Sequence, residues 1–183
     1  MNDSSTFKDI QLLKTTSYID ERGFFSEIYN KKEMEDSGIK NNFIQDNLSF
    51  SKKRGVIRGL HFQKNTFAQS KLLRVLEGQI QDVFIDLRPN SETYEISGSE
   101  ILTQEKGWIY IPHGFAHGFC TLTDNVKILY KVDSYYSAEM DSGIRWNDNF
   151  FNIEWMVDDD KAIISEKDRG LPLWNDIKKE TEF

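Results

Sequence analysis

From about Phe43 to Tyr136 the chain is written in period two, with apolar and polar residues alternating over strand-length runs. Turn residues punctuate these runs at Lys53-Arg54-Gly55, Glu77-Gly78, Pro89-Asn90-Ser91, Lys106-Gly107 and Thr123-Asp124-Asn125, and the pattern reads as a series of hairpins. Strands separated by turns every ~8–12 residues specify an all-β sandwich or barrel. Helical pattern is confined to short pieces, Lys31 to Ser37 with Gly38 as terminator and a few residues near the C-terminus. No internal repeat or low-complexity linker divides the 183 residues. A single domain, 1–183, is therefore expected, long enough to bury ~70% of its unfolded surface.

The same alternation assigns faces. In Gln79 to Arg88, one parity holds Gln81, Val83, Ile85 and Leu87 and reads as packed core. The other holds Ile80, Asp82, Phe84, Asp86 and Arg88 and reads as a polar lining. In Val126 to Tyr136, Tyr130 and Tyr136 fall on one face if the strand is regular throughout. Ordinary aromatic packing is the common role of such tyrosines, and a buried hydroxyl needs a partner.

Charge is distributed unevenly along these strands. The net charge is −7, yet residues 51 to 90 carry eight Lys or Arg against three acids, a local +5 that leaves −12 for the rest. An acidic chain lacks the broad basic footprint of a nucleic-acid-binding module, whereas a basic middle suits a pocket for a small anion. Arg58-Gly59-Leu60-His61-Phe62-Gln63, followed by Lys71-Leu72-Leu73-Arg74-Val75, sets an imidazole among three cations in strand-like sequence. Burying those groups is costly unless something pairs with them. A basic, solvated sheet face is the competing reading of the same segment. Asp82 and Asp86 suit the more ordinary task of satisfying buried arginines and histidines. Arg58 and His61 have opposite strand parity, so both can enter one cavity only if the strand bulges or twists near Gly59.

Several chemistries lose support on composition and spacing. The lone Cys120 rules out an internal disulfide framework and a multi-cysteine zinc site, and reads as a small core residue. His61, His113 and His117 are the candidates for metal ligands, but Pro112, Gly114 and Gly118 argue against the helix that would align His113 with His117. There is no glycine-rich phosphate loop and no Gly-x-Ser-x-Gly elbow. No apolar run is long enough to span a bilayer and the first residues lack a signal-peptide pattern, so a soluble cytoplasmic protein is expected. What remains is acid–base chemistry by histidine, tyrosine and lysine, a trio suited to enolisation beside a ketone.

Ordered blocks along nearly the whole chain carry a resemblance. They are Asp20-Glu21-Arg22-Gly23-Phe24-Phe25-Ser26-Glu27, Gln45-Asp46-Asn47, Gly55 to Gln63, Lys71 to Val75, Asp82 to Tyr94, Pro112 to Phe119, Tyr130-Lys131 with Tyr135-Tyr136, Gly143-Ile144-Arg145-Trp146 and Ser165-Glu166-Lys167-Asp168. Together they resemble the dTDP-4-dehydrorhamnose 3,5-epimerase family of nucleotide-sugar enzymes. The resemblance implies a cupin-type jelly-roll barrel, a homodimer, a dTDP-sugar substrate and no metal or organic cofactor. It implies His61 as the base, Asp168 as its carboxylate partner, Tyr130 as the proton donor and Lys71 as the group steadying the enolate oxygen. It also implies substrate contacts at Arg22, Glu27, Gln45, Asp46, Asn47, Arg58, Lys71, His117, Tyr136, Asp141 and Lys167. The first of these belong to a segment expected to reach a neighbouring subunit.

Two departures lie near the substrate contacts. Asp141 stands where the family usually has Glu, and Ser70 replaces the more usual Gly before Lys71. The expected reaction is inversion at C3 and C5 of dTDP-4-dehydro-6-deoxy-D-glucose, giving dTDP-4-dehydro-L-rhamnose for deoxysugar biosynthesis. The alternatives are a single-centre 3- or 5-epimerase, a non-catalytic sugar-nucleotide-binding cupin, and a metal-dependent cupin.

Overall fold

The computed structural model describes residues 1–181, and among these the architecture is predominantly β. In chain order the strands are β1 (Gln11–Leu13), β2 (Ser17–Asp20), β3 (Gly23–Ser26), β4 (Gln45–Ser51), β5 (Val56–Gln63), β6 (Lys71–Glu77) and β7 (Ile80–Asp86). They continue as β8 (Ser97–Leu102), β9 (Trp108–Ile111), β10 (Phe115–Thr121), β11 (Val126–Val132), β12 (Asp141–Gly143) and β13 (Ile163–Ile164). Three short helices, α1 (Lys31–Asp36), α2 (Glu166–Arg169) and α3 (Trp174–Ile177), complete the regular structure together with single turns of 3₁₀ helix. As expected, α1 ends before Gly38; Asn30 caps its start by accepting from the amides of Lys32 and Glu33.

Two sheets face each other. One has the order β1-β9-β6-β11-β4, the other β12-β5-β10-β7-β8 with β13 added beside β5, and β2–β3 is a separate two-stranded hairpin. This is the jelly roll that the resemblance implies and an arrangement within the sandwich or barrel read from the pattern, but its wiring differs from a run of hairpins. Of the five turns read from the sequence, only Pro89-Asn90-Ser91 links paired neighbours, β7 and β8; the other four carry the chain from one sheet to the other. Turn residues mark where a chain reverses, while the partner of each strand is decided by which faces must be buried. Gly78, at φ +85°, makes one of these crossings, and a Cβ there would lie 2.7 Å from the Thr123 hydroxyl.

The core lies between the sheets. Leu73, Val75, Ile109, Ile111 and Ile128 from one sheet meet Ile80, Phe84, Leu102, Phe115 and Phe119 from the other. Each fully buried side chain of this kind contributes about 1.5–3 kcal/mol. Outer layers cover the backs of both sheets. Residues Ile144, Phe151 and Trp174 pack on Leu60, Val83, Ile85 and Ala116, and Met34 and Ile39 pack on Leu72, Trp108 and Tyr110. Packing on both faces leaves every residue of β7 and β10 buried. The parity of β7 read as a polar lining is accordingly mixed: Ile80 and Phe84 belong to the core, Asp82 pairs with His117, and Asp86 with Arg88.

Candidate active site

The strand anomaly at His61 is resolved by a bulge. On β10, His117 pairs with His61 and Phe119 with Arg58, so three steps of β5 oppose two of β10. The extra residue brings Arg58 and His61 to the same side, where both line a cavity of about 570 Å³ between the sheets. Gly59, at φ +123°, lies in the bulge. A Cβ on Gly59 would lie 2.6 Å from Gly118 Cα and 2.8 Å from the His117 carbonyl oxygen. No side chain fits.

Each wall brings its own chemistry. On the six-stranded side, His61 Nε2 lies 2.8 Å from Asp168 Oδ1, and Asp168 Oδ2 accepts from the Gly59 amide at 3.2 Å. One carboxylate thus fixes both the imidazole and the bulge. Burial alone would raise Asp168, but the hydrogen bond and charge of His61, the Gly59 amide and Lys167 outweigh it and hold the carboxyl below its ordinary range. Ser165 caps α2 by accepting from the Asp168 amide, which sets the position of that carboxylate. His117 Nε2 donates to Asp82 Oδ2 at 2.8 Å, a second imidazole–carboxylate pair, also buried.

On the five-stranded side, Lys71 and Tyr130 share the inner face of β6 and β11. Burial drives the Lys71 ammonium down to about 8, against the favourable charges of Asp82 and Asp141. Its Nζ donates to the His61 carbonyl oxygen at 3.2 Å. Burial raises the Tyr130 phenol, partly offset by the positive charge of Arg58, and its hydroxyl has no hydrogen-bond partner among the described residues. At the rim, Asp141 accepts from Lys167 at 2.6 Å and from the Tyr136 hydroxyl at 3.2 Å. The hydrogen bond to Asp141 raises Lys167 despite partial desolvation. Tyr136 reaches the cavity from beyond the end of β11, which stops at Val132, so strand parity does not govern its direction.

Of the residues singled out from the sequence, His61, Lys71, Tyr130, Asp168, Arg58, His117, Tyr136, Asp141 and Lys167 converge on this cavity. Others do not. Arg74 has the opposite parity from Lys71 and lies on the far face of its sheet, 5.4 Å over the Trp108 ring. Arg22, on the β2–β3 turn, pairs with Asp20, and Glu27 accepts from Asn30. On the edge strand β4, Gln45 donates to Asn47 and Asp46 pairs with Lys131. These five substrate candidates are absent from the lining of their own chain's cavity. Sequence reading missed Gln69 and Ser165 in the lining; for Ser165 the signal was present, a serine three residues before Asp168 at a helix start. Among the described residues, no group of three or more His, Cys, Asp and Glu side chains is arranged to hold a metal ion. His113 and His117 have separate carboxylate partners, Asp133 and Asp82.

The arrangement sets an oriented imidazole on one sheet opposite a phenol and an ammonium on the other. It suits removal of a carbon-bound proton from one side of a ring, support of the resulting oxyanion, and return of a proton from the other side.

Comparison with known proteins agrees with that chemistry. The family model for dTDP-4-dehydrorhamnose 3,5-epimerase matches residues 4–176. The enzyme of that name from Methanothermobacter thermautotrophicus is 44% identical over 172 residues, covering 92% of this chain and 89% of the relative. The crystal structure of the Bacillus anthracis enzyme with TDP and PPi bound is 49% identical, covers 91% of this chain and 95% of its own, and superposes with a TM-score of 0.88. A dTDP-6-deoxy-D-glucose-3,5-epimerase from Legionella pneumophila in complex with dTDP-4-keto-L-rhamnose is 35% identical, covers 100% and 97%, and gives a TM-score of 0.90.

Proposed function

The chain belongs to the dTDP-4-dehydrorhamnose 3,5-epimerase family, and from that premise we propose that its cavity inverts C3 and C5 of dTDP-4-dehydro-6-deoxy-D-glucose by proton transfer beside the C4 ketone. The observation that carries this reading is the His61–Asp168 pair on one wall facing Tyr130 and Lys71 on the other. With the proton on Nε2 directed at Asp168, His61 Nδ1 holds the lone pair that removes a proton from the carbon next to the ketone. The electron pair of the broken C–H bond moves onto the ketone oxygen, where the Lys71 ammonium stabilises the enolate, a contribution of about 3 kcal/mol. The Tyr130 hydroxyl returns a proton to the opposite face of the carbon, inverting it. Exchange with water restores both groups, and the same cycle at the other carbon flanking C4 completes the product. Arg58, His117 and Lys167 supply positive or hydrogen-bonding surface for the diphosphate and sugar.

Incubating the protein with the 4-keto sugar nucleotide in D₂O and mapping deuterium by NMR tests the reading. Label at both C3 and C5 is expected. Label at one carbon reassigns the protein as a single-centre epimerase, and no label at either removes epimerisation altogether.

A homodimer is part of the proposal. Among the described residues the β2–β3 hairpin pairs only with itself, and it exposes Tyr18, Ile19, Phe24 and Phe25 at 62–83%. Exposed apolar area of this kind marks an interaction surface. Arg22 and Glu27 sit on or beside this arm, and Gln45, Asp46 and Asn47 on the edge strand β4, so a second copy would bring substrate contacts that one chain's cavity lacks. A dimer is expected by sedimentation, and Phe24→Asp with Phe25→Asp should give a monomer with KM raised at least tenfold. A wild-type protein that is monomeric and fully active at assay concentration would reject the arrangement.

A further inference from the structure

Behind Lys71, outside the cavity, lies a polar cluster with no role in the chemistry described so far. The β6–β11 ladder ends where Lys71 pairs with Val132. One residue further on, the ladder is continued by a side chain: Asp133 Oδ1 accepts from the Ser70 amide at 2.8 Å. Gln69, a residue of the cavity lining, donates its side-chain amide to the Ser134 carbonyl oxygen at 2.7 Å. Asp133 Oδ2 is held by Asn41 Nδ2 at 2.7 Å and by His113 Nε2 at 2.9 Å. Asn41 also donates to Ser70 Oγ at 3.1 Å and accepts from the Tyr110 hydroxyl at 2.9 Å. Ser70 is 1% exposed and the Asp133 side chain 7%, so losing the bond between them would strand the Ser70 amide out of reach of water.

These contacts converge on the segment that delivers Lys71. Among the described residues the ammonium itself has one hydrogen bond, to a main-chain oxygen at 3.2 Å, so its place depends on the backbone that carries it. We propose that Asp133, braced by Asn41 and His113, is a positioning residue: it clamps the Gln69–Ser70 backbone so that Lys71 projects into the cavity beside His61. The proposal rests on the reading of Lys71 as the group that holds the enolate. A displacement of about 1 Å at a reacting group costs about 10²-fold in rate. Loosening the clamp should therefore lower kcat by about 10- to 100-fold and change KM little, because the nucleotide contacts lie elsewhere.

Two measurements on wild type, Asp133→Ala and Asp133→Asn decide it. The first follows Lys71 by NMR in protein carrying ¹³C-labelled lysine and needs no substrate. In wild type Lys71 should titrate near 8; in Asp133→Ala it should move upward by at least one unit as the side chain relaxes toward water, with Asp82 and Asp141, the charges facing it, unchanged. The second is turnover of the 4-keto sugar nucleotide across pH, where the alkaline limb of kcat/KM should move with the NMR value. Asp133→Asn keeps an oxygen for the Ser70 amide once the Asn41 amide turns over, and should recover kcat to within about threefold. If Asp133→Ala does not fold, Asn41→Ala takes its place, with the same displacement expected. Lys71 titrating near 8 in a folded Asp133→Ala or Asn41→Ala, or wild-type kcat in either, overturns the proposal. A wild-type protein that turns nothing over defeats the functional reading alone, since the titration still decides where Lys71 is held.

Discussion

His61→Ala is expected to lower epimerisation and solvent exchange by about 10³-fold while the protein stays folded, because a placed general base contributes about 10²–10⁴-fold and no neighbouring group replaces it. His117 sits opposite on β10 but is committed to buried Asp82. The change also removes the hydrogen bond to Asp168, leaving that carboxylate with the Gly59 amide as its remaining tie on this wall. Burial pushes Asp168 up and the His61 contact helps bring it down, so the variant loses part of a depression that the native protein has. A depressed carboxyl stabilises the fold above its unfolded pKa and ceases to do so as pH falls through its folded pKa. The variant should therefore melt a few degrees lower at neutral pH, and this deficit should shrink in acid. Circular dichroism and the D₂O assay on one preparation separate the two effects. Exchange within tenfold of wild type would reject His61 as the base.

The site was legible in its parts and illegible in its assembly. Period two identified the strands, and the parity conflict between Arg58 and His61 demanded an irregularity at Gly59, which is where β5 bulges. The same parity argument, applied to Lys71 and Arg74, would have excluded Arg74 from the cavity; grouping all three cations together overlooked it. The turn signals were real, yet most carry the chain between sheets, because local dihedral preference says nothing about which distant strand offers a matching buried face. Asp168 lies 107 residues from His61 and reaches it from a four-residue helix, a pairing for which no local pattern exists; only the family resemblance pointed to it. The clamp on Ser70 was hidden for a similar reason, since Asn41, His113 and Asp133 meet only once three separate segments are stacked.

Gly59→Ala should destabilise the protein severely and disable the site together. At φ +123° an L side chain is strained by about 1–3 kcal/mol wherever it sits. Here the new Cβ also meets Gly118 Cα at 2.6 Å and the His117 carbonyl oxygen at 2.8 Å, both main-chain atoms of the neighbouring strand, so no rotamer change relieves it. Forcing apart packed elements costs a further ~1–3 kcal/mol. A total of about 2–6 kcal/mol is a large share of the ~5–15 kcal/mol that holds a domain of this size together. The melting temperature should fall by about 10 °C or more. Gly38→Ala provides the control, because Gly38 also has a positive φ, +89°, but open space around its Cβ, so strain acts there without collision. What survives folding in Gly59→Ala should be inactive as well. The bulge is what lets Arg58 and His61 face one cavity, and the Gly59 amide is one of the two anchors of Asp168. Relieving the collision by straightening β5 would turn one of the two side chains away. Urea melts and turnover of the three proteins measure both consequences, and a Gly59→Ala protein as stable and active as Gly38→Ala would show that the bulge tolerates a side chain and that β5 positions His61 by other means.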